Sequence, residues 1–148
     1  MSSRDLERDI EMKPMLNALG LMLFAAPLHA ESQQVVVKPV LSTTVTSSGQ
    51  PIVLPQKDAQ VVVSTYEIAP GAALPEHKHP FPRYGYVLAG SLRVINDDTG
   101  KTEDFKTGDF ILEAVGQWHR GINTGADPLK LLVIDIAEKD QPTVVLKK

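Results

Sequence analysis

Two histidines stand one residue apart, His77 and His79, in the stretch GAALPEHKHPFPRYGYVLAG (residues 71–90), and a third, His119, follows in GDFILEAVGQWHRGIN (residues 108–123). Side chains of an extended chain alternate between faces, so His77 and His79 share one. If the alternation survives Pro80 and Pro82, Arg83, Gly85 and Val87 lie on that face too. Two imidazoles on one face, joined by a third from a distant strand, make a divalent-metal site with nitrogen donors at about 2.0–2.1 Å from the ion. The same pair, flanked by Pro75 and Pro80, also suits an exposed loop, and the spacing alone leaves both readings open. The chain has no cysteine, which removes disulfides, thiolate ligands and cysteine nucleophiles. Any metal must then be held by His, Asp or Glu.

Other chemistries are excluded. No G-x-S-x-G elbow is present, and no glycine-rich loop precedes a helix to cradle phosphate, which argues against serine catalysis and nucleotide binding. The net charge of -3 gives no polyanion-binding signature, so nucleic acid is not an expected partner. The 148 residues have room for one domain with its own core.

Residues 1–30 are expected to be a leader. From Met12 the chain reads MKPMLNALGLMLFAAPLHA, with one lysine, an apolar run from Leu16 to Ala26, Pro27, and a small Ala30 before Glu31. That is the layout of a secretory signal cleaved after Ala30. The run falls short of the roughly 20 apolar residues of a membrane span, so no stable span is expected after cleavage and the mature protein should be periplasmic or secreted. An uncleaved interfacial anchor is the alternative. The preceding MSSRDLERDIE is acidic where a signal starts basic, which makes Met12 the expected true start. The fourth histidine, His29, would leave with the signal.

Residues 31–148 should form one all-β domain. QQVVVKPVL, QPIVLP, AQVVVSTYEIA, RYGYVLAG, SLRVIN, TEDF, GDFILEA, HRGIN and PLKLLVIDIAE are short runs rich in Val, Ile, Leu and Tyr, separated by Pro, Gly, Asn and Asp. Many short strands in so small a domain imply a sandwich or barrel, and closing the sheet protects its edges.

The first histidine stretch fits G-x5-H-x-H-x3-E-x6-G at Gly71, His77, His79 and Gly90, with Arg83 where the glutamate belongs. The second fits G-x5-P-x-G-x2-H-x3-N at Gly108, Gly116, His119 and Asn123, with Ala114 where the proline belongs. In tandem and in order, these resemble the two motifs of the cupin superfamily, in particular its small single-domain bacterial members. The resemblance implies a double-stranded β-helix, a jelly-roll barrel with a metal site in its mouth. It also implies His77, His79 and His119 as ligands, leaves the fourth ligand open, and makes a homodimer an expectation to which Val35-Val36-Val37 would contribute.

Glu113 is the candidate for the missing carboxylate. Alternation in Phe110-Ile-Leu-Glu-Ala puts it beside Ile111, facing inward, where a carboxylate needs a partner. It would ligate the metal, pair with the fork of Arg83, or be turned to water by a strand offset. With Glu113 on the metal, Arg83 is free to clamp an anionic substrate or to face solvent. Gly85 would open a pocket or relieve crowding. Asn123 should bond locally, and Trp118 and Tyr86 should pack on the faces opposite His119 and Val87. The expected function is an exported cupin that binds or transforms a small, anionic molecule at a site for iron, manganese, nickel, copper or zinc. As an enzyme it would be an oxygenase or a Lewis-acid isomerase or hydrolase. The alternatives are a non-catalytic ligand-binding module and a structural cupin with a degraded site.

Overall fold

Alternating burial along the strands gives the architecture. In the computed structural model, which describes residues 35–148, the strands are β1 (Ala59–Ile68), β2 (His77–Lys78), β3 (Arg83–Ala89), β4 (Ser91–Asn96), β5 (Thr102–Lys106), β6 (Phe110–Leu112), β7 (His119–Asn123), β8 (Leu129–Glu138) and β9 (Val145–Leu146). They form a four-stranded sheet in the order β1-β8-β3-β6 and a five-stranded sheet in the order β5-β4-β7-β2-β9. All strand pairs are antiparallel. The two sheets make the expected jelly-roll barrel. No helix occurs among the described residues, so none there is long and apolar enough to cross a membrane. The leader, Met12 and the cleavage point after Ala30 lie outside the described residues.

Strand β8 illustrates the logic. Leu129, Leu131, Val133, Asp135 and Ala137 are buried while the residues between them are partly or fully exposed. Ile68, Val87, Leu92, Ile111, Leu129, Leu131 and Val133, drawn from both sheets, form one core between them. Each such side chain contributes about 1.5–3 kcal/mol on burial. Gly90, at φ +92°, turns β3 into β4 where a Cβ would stand 2.9 Å from the Cα of Leu129. Only glycine tolerates both the backbone angle and the approach.

Two expected strands are absent. QQVVVKPVL and QPIVLP, where described, hold no strand beyond the isolated bridge Val45–Pro51. Pro39, Pro51 and Pro55 lack the N–H a ladder needs. Val35, Val36, Val37 and Val40 stay exposed, and residues 44–52 form a turn closed by Thr46 N–H donating to Gln50 O at 2.8 Å and Ile52 N–H to Thr44 O at 3.1 Å.

Pro80 and Pro82 have a clear place. They stand between β2, in the five-stranded sheet, and β3, in the four-stranded one, so the chain changes sheets where it cannot donate ladder bonds. His77, His79, Arg83, Gly85 and Val87 are nonetheless all buried, as alternation requires.

Candidate metal centre

Pairing across the five-stranded sheet builds most of the site. His77 on β2 lies opposite His119 on β7, and His79 bridges to Val115. The three ring centroids are 4.5 to 4.9 Å apart. All three imidazoles are buried, which removes the exposed-loop reading of His77 and His79. Glu113, just beyond β6, brings its carboxylate into the same space, with Oε2 2.8 Å from His79 Nε2 and 2.9 Å from His119 Nε2. One donor atom from each of His77, His79, Glu113 and His119 lies within 4.8 Å of every other.

Hydrogen bonding fixes the chemistry of these atoms. His77 Nδ1 faces Pro75 O at 2.6 Å, His79 Nδ1 faces Thr143 O at 2.9 Å, and His119 Nδ1 faces Gln117 O at 2.9 Å. A carbonyl only accepts, so each Nδ1 carries a hydrogen and each neutral ring turns the Nε2 lone pair inward. His79 Nε2 and His119 Nε2 are 3.2 Å apart, with Glu113 Oε2 against both. Three acceptors this close repel one another unless a proton or a cation lies among them. Atoms bound to one ion at about 2.0–2.2 Å have separations of this order. The donor set fits a divalent transition metal.

Without metal the cluster accommodates a proton. Burial alone would raise the Glu113 carboxyl, but hydrogen bonds from His119 and His79 and their charge hold it well below the usual carboxylate range. Burial alone would lower His119, and its bond to Glu113 and the charge there carry it above its ordinary value. His77 is lowered, chiefly by burial, with its neighbouring imidazoles adding to the effect. A proton held among Glu113 Oε2 and the two Nε2 atoms against it would relieve their repulsion, and a metal would displace it.

Arg83 does not pair with the Glu113 side chain and does not face solvent. Its Nε donates to Asp135 Oδ1 at 2.6 Å and its Nη2 to Oδ2 at 2.9 Å, a fork-to-carboxylate pair with both side chains 5% exposed. Burial opposes the Arg83 charge, but the Asp135 bond and the nearby carboxylates raise its pKa further. Asp135 was missed as a partner. Its signal is a lone acid at the position that alternation along PLKLLVIDIAE assigns to the apolar face. Arg83 Nη1 also lies 3.4 Å from Tyr66 Oη.

Gly85 opens no pocket. A Cβ there would meet Ile111 Cδ1 at 3.5 Å, so the Ile111 side chain fills the space. Asn123, fully buried, bonds locally through Nδ2 to Ile68 O and Asp127 O, both at 2.9 Å. Trp118 and Tyr86 are partly exposed beside buried His119 and Val87. Gln50 also went unforeseen: its side-chain amide pairs with both backbone groups of Val115, pinning the 44–52 turn to the segment that carries Glu113.

Comparison with known proteins extends the geometry. Residues 64–135 match the family model described as "Cupin domain". Solved structures of similar fold include the polyketide cyclase RemF from Streptomyces resistomycificus, at 24% identity and TM-score 0.50 over 66% of this chain and 70% of that one. Another is the DMSP lyase DddQ from Ruegeria pomeroyi DSS-3, at 21% identity and TM-score 0.52 over 67% of this chain and 47% of that one. A third is the Bacillus subtilis oxalate decarboxylase, described with Mn(II) centres, at 24% identity and TM-score 0.50 over 58% of this chain and 23% of that one. The lyase and the decarboxylase are thus matched over less than half of their length. No curated protein sequence matched. At these identities the likeness establishes the fold. With both histidine motifs inside one two-sheet barrel and the family match spanning them, this chain carries a cupin domain over residues 64–135.

Proposed function

We propose that this chain holds one divalent first-row metal ion at His77, His79, His119 and Glu113 and there binds or transforms a small anionic molecule. The observation that carries the reading is the meeting of three acceptor atoms, two Nε2 and one carboxylate oxygen, within 3.2 Å. A bound ion would supply Lewis acidity and open coordination positions, suited to an oxygenase or to an isomerase or hydrolase. Manganese is the first ion to try, given the Mn(II) centres of the similar oxalate decarboxylase, ahead of iron, nickel, copper and zinc.

The chain's own residues set charge and access. Glu113 balances one charge of a divalent ion, and Arg83 and Asp135 cancel each other, so the loaded site keeps a net positive charge that favours an anion. The space beside Glu113 and His119, bounded by Ser47, Ser48, Asn96 and Lys101, is about 10 Å³, room for about one water. The inner space bounded by Tyr66, Arg83, Leu131 and Val133 is about 20 Å³. The 44–52 turn borders the first of these spaces and is held down by Gln50 and Lys101, the latter through a 2.7 Å bond to Ser47 O.

Elemental analysis of wild type and Glu113→Gln, purified without affinity-tag metals, tests this. Near-stoichiometric metal in wild type that falls strongly in the variant supports it and leads to an oxygen-uptake screen. Metal indifferent to the variant overturns Glu113 as a ligand, and an empty wild type overturns the reading in favour of a binding or structural module.

Export and self-association complete the reading. The signal-like leader supports export with residues 1–30 removed, and an intact leader on the mass of the mature protein would refute it. The four-stranded sheet turns Val61, Val63, Leu132, Ile134, Tyr84 and Tyr86 away from the core, an apolar face suited to a second copy. Light scattering that finds only monomer at micromolar concentration would refute the dimer.

A further inference from the structure

His77 and His119 are each oriented by a carbonyl two residues before them in their own strand or loop. His79 is not: its Nδ1 partner is the carbonyl of Thr143, 64 residues away. The segment containing Thr143 is held against the site at several points. Asp140 turns the chain at φ +62° after β8, and Pro142 stiffens the backbone beside Thr143. Strand β9 then pairs with β2, His77 with Leu146 and Lys78 with Val145. Lys147 N–H donates to Glu76 O at 3.0 Å, and its ammonium pairs with the Glu76 carboxylate. Without β9, the strand that carries His77 would be a sheet edge. Arg83 also reaches this segment: its Nη2 donates to Thr143 Oγ1 at 3.4 Å while the same fork is locked on Asp135. Thr143 thus stands between two buried groups, its carbonyl on His79 and its hydroxyl on Arg83.

We propose that residues 141–148 are a positioning strap of the metal centre, in which Thr143 sets the tautomer and ring orientation of His79 and the Arg83–Asp135 pair holds Thr143 in place. Arg83, standing where the first motif would carry its carboxylate ligand, acts on the centre through the strap instead of coordinating. The proposal rests on the metal reading only for its effect on affinity. The tautomer of His79 is a property of the metal-free protein and can be tested whether or not metal binds. The need is physical: without the Thr143 carbonyl the hydrogen of His79 is free to move to Nε2, where Glu113 Oε2 at 2.8 Å accepts it and the lone pair no longer faces the site, and loss of such outer partners weakens metal binding by about 10- to 100-fold.

The test compares wild type, a variant lacking residues 141–148, Thr143→Val and Thr143→Ser. Two readouts are taken: nitrogen NMR of the histidine rings in metal-free protein at mildly alkaline pH, and Mn(II) and Zn(II) affinity by competition with a chelator. The expected result is a folded strapless variant in which His79 leaves Nδ1–H and shifts toward Nε2–H, facing Glu113 Oε2, while His77 and His119 keep Nδ1–H. Its metal affinity should fall about 10- to 100-fold. Thr143→Val should lose a few-fold and Thr143→Ser should match wild type. A strapless His79 that keeps its single tautomer overturns the proposal. If the strapless variant does not fold, the full chain decides: a wild-type His79 that is not held as Nδ1–H overturns the proposal, while Thr143→Val, which keeps the carbonyl and loses only the hydroxyl bond to Arg83, tests the anchor, and metal affinity unchanged there overturns the role given to Arg83. If wild type binds neither ion, the metal reading fails and the tautomer readout still judges the strap.

Discussion

Two arginine–aspartate pairs in this protein have nearly the same geometry. Arg83 grips Asp135 at 2.6 and 2.9 Å, and Arg93 grips Asp104 at 2.7 and 2.9 Å. They differ in surroundings. The first pair is 5% exposed at both side chains, whereas the second is 44% and 60% exposed on the outer surface of β4 and β5. Water and salt screen the outer pair, so its bonds mostly replace equally good bonds to solvent. The inner pair has no such exchange, because each charge depends on the other once both are desolvated. The Glu113–imidazole cluster lies between these cases: buried, but completed by an exchangeable proton or ion.

The largest effect should follow from breaking the inner pair alone. Asp135→Asn leaves the Arg83 charge buried without its counter-ion and should cost about 3–5 kcal/mol in denaturant unfolding. Replacing both, as Arg83→Met with Asp135→Leu, should recover most of that, and a double variant no more stable than Asp135→Asn would show that the pair is not what the single change breaks. Next comes the ion at the cluster. A metal at 100 times its dissociation constant should add about 2.7 kcal/mol, seen as a rise in Tm that chelator reverses and Glu113→Gln abolishes. An equal rise in that variant would place the ion elsewhere.

A smaller effect should appear with pH in metal-free protein. His119 is raised, so its contribution is present below its ordinary pKa and fades as pH climbs through the folded value. Glu113 is lowered, so its contribution is present above the ordinary carboxylate range and fades as pH drops through its depressed value. The Tm difference between wild type and Glu113→Gln should therefore be greatest in the mildly acidic window between them, by a few degrees. A difference that is flat with pH would mean that Glu113 is not paired with a protonated ring. Smallest of all, Arg93→Ala should leave Tm unchanged within error in about 0.15 M salt, and a clear loss there would erase the contrast between the two pairs.

Much of this was legible from residue type and spacing. Strands β3, β4, β5, β7 and β8 follow from alternation bounded by turn residues, and the two motifs place three histidines in one barrel before any coordinate is known. Glu113 is found by alternation with Ile111. What spacing cannot supply is partnership across the sequence. Arg83 and Asp135 are 52 residues apart, and His79 and Thr143 are 64 apart. Their meeting is fixed by sheet order, since β3 pairs with β8 and β2 with β9, which no local pattern encodes. The runs near Val35 and Ile52 mislead for a related reason: β-branched residues propose a strand, but a strand needs a neighbour, and three prolines refuse one.

The single tryptophan of the chain stands immediately before His119, with the ammonium of Lys78 4.7 Å and that of Lys147 5.5 Å from its ring. The protein thus carries its own optical reporter at the edge of the centre. Open-shell ions such as Mn(II), Fe(II), Ni(II) or Cu(II) bound at His119 should quench Trp118 emission, whereas Zn(II) should leave it bright. A fluorescence titration would sort the ions by electronic shell as well as by affinity.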